Sequence, residues 1–463
     1  MEDSDLSPND VNPHEKADVW LSTGNEVSSA DALMHALELA GEGPRPVFRS
    51  TRHRTITRRG VMWLGQTCNL RCYFCYFLDR IETKDHPEHA FMSLEKAKDI
   101  CKTLVDRYHN NAIDIQGGEP TIWRPIFDLV RYCHEIGLEP TLITNALVLD
   151  SIATAKKYRE AGVRDFLVSV HGLGEVHDRV VQRRGAHVRQ MKALRNLREL
   201  GIPFRFNCVM SKPVIPQLPD IARLAVKTGA VVINFLAFNP FADQAKDGKR
   251  SAENVAAYRE IGASLDQALD VLADAGVEAN VRYLPLCMVA ERHRKSMYNY
   301  QQLSYDHHEW DYASWSWTTQ LPQRIKEGGL SGGVPITTQG LVSRFRKPAE
   351  KVMRLPVLGP AAVRMNEELG FFLDGLRDRD ALYRQNAKQR AEIRMEYDKC
   401  EECTRCSVRS ICDGFHRDYF EMFGMGEAQA IRLPEDVDDP RHYIRAQDKV
   451  VERSDEAWAL PKR

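Results

Sequence analysis

The stretch Thr67-Cys68-Asn69-Leu70-Arg71-Cys72-Tyr73-Phe74-Cys75 places three cysteines at the spacing CxxxCxxC. A short loop with this spacing can hold three corners of a cube of irons and sulfides, and three thiolates leave one of the four irons without a protein ligand. An iron with open coordination positions can bind a substrate-like molecule, whereas a cluster ligated by four cysteines only passes electrons. The spacing therefore predicts a catalytic iron–sulfur cluster. The alternative is a zinc knuckle, although zinc sites usually pair their ligands as CxxC and need a fourth protein ligand nearby.

This loop resembles the cysteine loop of the radical S-adenosylmethionine (SAM) enzymes, in which an aromatic residue, here Phe74, precedes the third cysteine. The resemblance implies that Cys68, Cys72 and Cys75 bind a 4Fe-4S cluster and that the amino and carboxylate groups of SAM chelate the fourth iron. It further implies that one electron cleaves SAM to methionine and a 5'-deoxyadenosyl radical, which abstracts hydrogen from carbon. A one-electron donor such as flavodoxin or ferredoxin would then be a partner.

Composition limits the class of protein. At 463 residues the chain exceeds one ordinary core, so we expect two domains or one large barrel with an appendage. The formal net charge of −1 gives no long-range attraction for nucleic acid or for an anionic membrane. The acidic amino terminus lacks a secretion signal, and no run of about 18 apolar residues could span a bilayer. Eleven cysteines in such a chain favour metal binding or catalysis over disulfides, and we expect a cytoplasmic protein.

The middle of the chain alternates apolar β-type runs with amphipathic helical runs. Strands are predicted at 60–64, 113–116, 141–144, 166–170, 204–210 and 231–238, and helices at 94–108, 125–136, 151–161, 187–200, 219–228 and 253–275. Strand–helix units of this kind imply a parallel sheet, so the predicted fold is α/β, a partial (β/α)6 TIM-like barrel with a small C-terminal iron–sulfur domain. The expected divisions are an N-terminal extension (1–57) with one helix near 30–40, the barrel (58–285), an auxiliary-cluster domain (286–430) and a tail (431–463).

Polar motifs follow these strands at the carboxyl ends, where ligands gather in parallel sheets. The resemblance implies that the segment Gly117-Gly118-Glu119 holds the amino group of SAM. It implies that further SAM contacts come from Thr144, Asn145, Ser169, Asn207, Leu236 and, for the carboxylate, Arg183. Glycines at 117 and 118 allow the backbone to approach a ligand closely. His171, where many relatives have aspartate, is a candidate substrate contact or a simple hydrogen-bonding histidine.

A second set of cysteines lies in the C-terminal half: Cys403, Cys406 and Cys412 follow the pattern CxxCxxxxxC, and Cys287 stands upstream. Four thiolates would complete a 4Fe-4S cube or a tetrahedral zinc site. The arrangement looks like the twitch and SPASM extensions of radical SAM enzymes, which carry auxiliary clusters. His416 replaces a cysteine of the two-cluster pattern, so one auxiliary cluster is expected, and Cys400 is an alternative ligand. Cys101, Cys133 and Cys208 lie in apolar patterns that indicate core packing.

These features predict a radical SAM oxidoreductase-type enzyme. A nearby second cluster can accept an electron from a substrate radical, which favours a net oxidation. The aromatic and polar segment 298–317 suits stacking on a small polar metabolite such as a sugar, aminocyclitol or nucleoside, or else covers the mouth of the barrel. Two alternatives remain open: a maturase that modifies a ribosomally made peptide, and a non-enzymatic metal-binding scaffold.

Overall fold

A nine-stranded parallel sheet forms the centre of the computed structural model, which describes residues 28–45, 50–51, 56–75, 89–106, 108–238, 251–311, scattered positions between 355 and 391, and 396–450. Strand β1 (Ser50–Thr51) lies outside this sheet. The strands of the sheet are β2 (Thr57–Trp63), β3 (Ala112–Gln116), β4 (Glu139–Thr144), β5 (Asp165–Ser169), β6 (Phe204–Met210), β7 (Val232–Ala237), β8 (Glu278–Arg282), β9 (Met297–Tyr298) and β10 (His307–Asp311).

From β2 to β9 the strands lie side by side in chain order, and β10 returns to pair with β2 at the opposite edge. Every neighbouring pair in the sheet is parallel. The sheet is open and curled, which confirms the predicted α/β fold and the partial TIM-like barrel. All six predicted strands are present, and β8, β9 and β10 extend the sheet beyond them. Strands β9 and β10 come from residues that the sequence assigned to the auxiliary domain.

Helices alternate with the strands and cover the outer face of the sheet: α1 (Ser29–Ala40), α2 (Leu94–Asp106), α3 (Ile126–Glu135), α4 (Ile152–Ala161), α5 (Glu175–Val180), α6 (Ala186–Glu199), α7 (Leu218–Thr228) and α8 (Tyr258–Asp274). The longer helices bury a stripe of mainly apolar residues at helical spacing, as in α2, where Ala97, Ile100, Cys101 and Leu104 are buried. The short α5 buries only His177 and Val180. Helix α8 begins at Tyr258, five residues later than the predicted start at 253.

Cys101 and Cys133 are buried on adjacent helices, with their sulfurs 3.5 Å apart, and Cys208 is buried on β6. These three positions confirm the prediction of core packing. Among the described residues, no helix is long and apolar enough to cross a membrane.

Both ends of the described chain pack on the barrel. Helix α1 in the predicted extension lies against α6 and α7, where it buries Leu33 and Leu37. Residues 431–450, which the sequence suggested were a tail, also contact the sheet. Here β11 (Lys449–Val450) pairs with β1, and Gln447 Nε2 donates to the carbonyl of Ala279 at 2.6 Å. Two further short helices are α9 (Tyr300–Leu303) and α10 (Arg417–Phe423).

Candidate active site and a second cysteine cluster

The cysteine loop follows β2, and backbone and arginine contacts tie it to the segment after β3 and to the segment after α5. The N–H of Glu119 donates to Thr67 O at 2.8 Å, and the N–H of Arg71 donates to Val181 O at 3.2 Å. The Arg71 guanidinium donates to the carbonyls of Cys68 and Leu70 at 2.7 and 2.8 Å. Arg183 Nη1 donates to Asn69 O at 2.9 Å. Arg183, expected to bind the SAM carboxylate, therefore also holds the loop.

The three thiols of this loop are close enough to affect each other. Burial raises the pKa of Cys68 to about 12, and the charge of Glu119 adds to the rise. Burial, followed by the charges of Cys75 and Cys68, raises the pKa of Cys72 well above its usual range. A bound iron cluster would supply the positive charge that offsets three partly buried thiolates, so the donor set fits the cluster that the motif implies. Among the described residues, no three His, Cys, Asp or Glu side chains converge on a site for a single metal ion. A 4Fe-4S cluster does not need such convergence, because each thiolate would bind a different iron.

Gly117 and Gly118 follow β3, pack against the backbone of residues 63–67, and adopt φ angles of 97° and 58°, in the left-handed region. A Cβ on Gly118 would lie 2.0 Å from the carbonyl oxygen of Thr67, and one on Gly117 would lie 2.8 Å from the nitrogen of Leu64. The sequence suggested a close approach to a ligand. The close approach in the structure is to the backbone of β2 and of the cysteine loop, so these glycines set the position of the loop.

Glu119 is buried and joins the ends of two strands. Its Oε1 accepts from the Thr144 hydroxyl at 2.6 Å and from the N–H and hydroxyl of Thr121 at 3.1 and 2.5 Å. Its Oε2 accepts from the Asn145 N–H at 2.8 Å. Burial raises the pKa of Glu119, and these hydrogen bonds act in the opposite direction. With three donors on Oε1 and one on Oε2, the carboxylate keeps acceptor capacity on Oε2 for an ammonium group.

Asn145 and Gln190 link this edge of the sheet to the cysteine loop. Asn145 Nδ2 donates to Asn69 Oδ1 at 2.7 Å and lies 4.0 Å from the sulfur of Cys68. The amide of Gln190, buried on α6, donates to the carbonyls of Asn145 and Ser169 at 3.1 and 2.9 Å. Sequence reasoning missed Gln190, and its only signal is a polar residue on the apolar face of a helix.

The other predicted SAM contacts lie on neighbouring strands at the same edge. Ser169 ends β5 and pairs in register with Asn207 on β6, while Leu236 lies near the end of β7. The ring of Phe74 lies 4.6 Å from that of His171. His171 Nδ1 accepts from the N–H of Val209 at 3.1 Å, and burial lowers its pKa to about 3, so the ring is neutral. The structure thus brings the predicted residues to one edge of the barrel.

The second cysteine cluster consists of Cys287, Cys403, Cys406 and Cys412. Cys287 lies in the loop after β8, and the other three lie in the C-terminal segment. Burial raises the pKa of Cys287, and the nearby Cys406 adds to the rise; Cys287 in turn contributes to the raised pKa values of Cys403 and Cys412. Backbone N–H groups donate to the sulfurs, as Ile431 does to Cys406 at 3.4 Å. N–H···S bonds of this kind tune iron–sulfur clusters.

Cys400 and His416, the two uncertain positions, behave differently. The sulfur of Cys400 lies 3.8 Å from that of Cys403, beside the cluster. His416 caps α10, and its Nδ1 accepts from the Asp418 N–H at 3.2 Å. One ring nitrogen of His416 is therefore used by the helix.

The aromatic segment, as far as its residues are described, contacts the C-terminal segment that carries Cys412. Tyr300 N–H donates to Asp413 Oδ2 at 2.7 Å, next to Cys412, and Gln302 Nε2 donates to Ile411 O at 2.7 Å. Tyr298 donates its hydroxyl to Gln447 at 2.8 Å. Tyr298 and Tyr300 thus form hydrogen bonds with the C-terminal segment of the same chain. The side chains of residues 308–317 lie outside the described part, and the prediction of stacking on a substrate stays a prediction.

Part of this chain is similar in sequence to known proteins. The sequence model of the Radical SAM superfamily matches residues 64–225. An AdoMet-dependent heme synthase of Oleidesulfovibrio alaskensis is 29% identical over 37% of this chain and 43% of its own length. A probable GTP 3',8-cyclase of Sulfurisphaera tokodaii is 26% identical over 38% of this chain and 55% of its own. A PqqA peptide cyclase of Rhodopseudomonas palustris is 31% identical over 37% of this chain and 44% of its own.

The chain spans about half the length of these relatives. The family model matches the segment that carries the cysteine loop and the strands β3 to β6. The region that the family model matches ends at residue 225, before the cysteines of the second cluster. Residues 64–225 of this chain are therefore similar to the Radical SAM superfamily.

Proposed function

We propose that the chain binds a 4Fe-4S cluster and SAM at the edge formed by β2 to β7, and abstracts hydrogen from a small polar metabolite in a net oxidation. When bound, the cluster supplies the electron that splits SAM into methionine and the 5'-deoxyadenosyl radical. The observation that carries the proposal is the hydrogen-bonded chain from Glu119 through Asn145 to Asn69 and Cys68. This chain of contacts fixes the expected amino-group site against the expected iron site.

The residues of the site have separate roles in this proposal. Cys68, Cys72 and Cys75 hold three irons, and Glu119 Oε2 accepts from the SAM ammonium. Gln190 holds the carbonyls of Asn145 and Ser169 in place, so the side chains of both can face the cofactor. Phe74, which lies in the loop, packs edge to face against the buried ring of His171.

We propose that Cys287, Cys403, Cys406 and Cys412 hold a second 4Fe-4S cluster. All four are partly buried, and Cys287 lies close enough to Cys403, Cys406 and Cys412 for their charges to interact. Backbone N–H groups are directed at their sulfurs, as at Cys406. A cluster with four cysteine ligands has no open iron and therefore transfers electrons. Placed in the loop that leaves β8, it would accept an electron from the substrate radical, while flavodoxin or ferredoxin would reduce the first cluster.

The preference for a small metabolite rests on the barrel interior. Asn234 and Asn280 lie in register on β7 and β8 beside Asn207, the expected SAM contact on β6, and all three are partly exposed. A row of amides suits hydrogen bonds to hydroxyl or amide groups. Two of the relatives named above carry small-molecule names, a heme synthase and a GTP cyclase. The second candidate is a peptide substrate, favoured by the similarity to a PqqA peptide cyclase.

The test starts with iron, sulfide and 5'-deoxyadenosine, measured anaerobically on reconstituted full-length protein with SAM and dithionite. Wild type should hold about eight irons, and Cys72→Ala should lose about four of them together with all 5'-deoxyadenosine. Cys406→Ala should lose the other four but keep SAM cleavage. Cys208→Ala, a cysteine of the core, is the control and should keep both. Full 5'-deoxyadenosine formation by Cys72→Ala would refute the assignment of the first cluster, and about four irons in wild type would refute the second.

A further inference from the structure

Charged side chains inside the barrel are paired in its lower part, towards the amino ends and middles of the strands. Arg59 on β2 lies 2.9 Å from Asp114 on β3, and Arg205 on β6 lies 2.7 Å from Asp165 on β5. Glu278, the first residue of β8, pairs with Lys449 from β11. Pairing of this kind is expected, because a charge removed from water is costly unless an opposite charge and hydrogen bonds compensate.

Arg282 departs from this pattern. Side chains alternate along β8, where Ala279 and Val281 are buried in the core under the helices. Glu278, Asn280 and Arg282 therefore face the other side, the barrel interior. Lys449 Nζ and Asn234 confirm this orientation, since both contact Asn280 from inside, at 2.9 and 3.1 Å.

The guanidinium of Arg282 is partly buried, and its Nε is buried without a hydrogen-bond partner. Within the part of the chain that the structure describes, Arg282 forms no ion pair either. The acidic residue nearest along its own strand face, Glu278, is already taken by Lys449 and by the N–H of Val450. A bound anion would give this buried Nε a hydrogen-bond partner and the cation an opposite charge.

Arg282 lies between the expected SAM site and the second cysteine cluster. It is the last residue of β8, in register with Leu236 on one side and Tyr298 on the other. Leu236 belongs to the expected SAM edge, and the loop that follows Arg282 leads to Cys287 of the second cluster. The next residue, Tyr283, has a φ of 66°, a conformation that non-glycine residues rarely adopt and that recurs at functional sites.

We infer that Arg282 binds an anionic group of the substrate, a carboxylate or a phosphate, and thereby positions the substrate between the SAM edge and the second cysteine cluster. Arginine suits this role because its planar group donates two parallel hydrogen bonds to either anion. The inference deepens the proposed function and rests on it for the place of the reacting carbon. It narrows the substrate class from polar metabolites to acidic ones.

The test uses reconstituted, SAM-loaded full-length protein and two probe anions, inorganic phosphate and succinate, titrated by calorimetry at an ionic strength held constant with sodium chloride. Wild type should bind one of them saturably in the millimolar range, and the anion that binds distinguishes a phosphate ester from a carboxylate. Arg282→Gln should raise the dissociation constant at least about tenfold, the loss of one charge-assisted contact. Arg282→Lys should raise it less, since the charge is kept.

The control is Arg292→Gln, which removes an exposed arginine paired with Asp270 and should leave anion binding unchanged. Equal binding by wild type and Arg282→Gln, or no saturable binding of either anion by wild type, would overturn the inference. Weaker SAM binding by Arg282→Gln would also overturn it, because Arg282 would then serve the cofactor. SAM cleavage without substrate, measured on each variant, reports separately on the proposed function. If the wild-type protein did not cleave SAM, the proposed function would be wrong, whatever the result of the anion titration.

Discussion

Replacement of Gly118 by alanine should displace the cysteine loop without touching a cysteine. Gly118 has a φ of 58°, and a left-handed conformation costs an alanine about 1–2 kcal/mol. The new Cβ would lie 2.0 Å from the Thr67 carbonyl oxygen, whereas real Cβ atoms essentially never come closer than 3.0 Å to such an atom. The loop must therefore retreat by about 1 Å, and a shift of that size in a catalytic site can reduce the rate about 10²-fold.

Gly137→Ala provides the matched control. Gly137 has a φ of 77°, and a Cβ there meets no atom within 4 Å, so it carries the conformational cost without the clash. Gly137→Ala should lower the urea midpoint of the apo-protein by the equivalent of about 1–2 kcal/mol and keep iron content and SAM cleavage at wild-type values. Gly118→Ala should lower the midpoint further and reduce 5'-deoxyadenosine formation about 10²-fold.

The two variants are compared by iron content, urea unfolding of the apo-protein and the initial rate of 5'-deoxyadenosine formation under dithionite. If Gly118→Ala matched Gly137→Ala in all three measurements, the packing of residue 118 against the cysteine loop would not control the site. If Gly118→Ala lost stability but kept the rate, the packing would be structural only.

Three further predictions follow from buried polar groups. Glu119→Gln places an amide NH₂ against N–H and O–H donors that the carboxylate accepts, so we expect SAM affinity, measured by equilibrium dialysis, to fall by about 2–4 kcal/mol. Lys449→Met leaves Glu278 buried without its cation and should cost about 3–5 kcal/mol in urea unfolding, and a second change, Glu278→Gln, should restore part of this. Burial lowers the pKa of His187 to about 3, so its neutral form is favoured in the folded state, and its contribution is lost as the pH falls below about 6.5. Between pH 7 and pH 5 the contribution of His187 to the free energy of unfolding should fall by about 2 kcal/mol. His187→Phe should reduce that loss.

Each of these predictions has a clear contrary outcome. Unchanged SAM affinity in Glu119→Gln would show that the carboxylate does not face the cofactor. Additive effects of Lys449→Met and Glu278→Gln would show that the two residues do not interact. Equal pH dependence of wild type and His187→Phe would show that His187 is not the group that titrates.

The strands and helices of the barrel could be predicted because their patterns are local. A stripe such as Ala97, Ile100, Cys101 and Leu104 can bury itself only as a helix, and the strands follow from short apolar runs between such helices. The missed strands, β8 to β10, are short or lie among polar and aromatic residues. For Met297–Tyr298 and His307–Asp311, pairing with a distant strand decides the structure, and no local pattern reports it.

The prediction of the first site came from the sequence by itself, because the spacing of Cys68, Cys72 and Cys75 is a property of one short loop. The order of polar motifs at the strand ends also followed, since parallel strands place their carboxyl ends at one edge. Contacts between residues far apart in the chain did not follow. Gly118 against Thr67, Gln190 beneath Asn145, and Lys449 on Glu278 exist only after the sheet closes, because packing and the pairing of buried charges depend on which side chains the whole fold brings together.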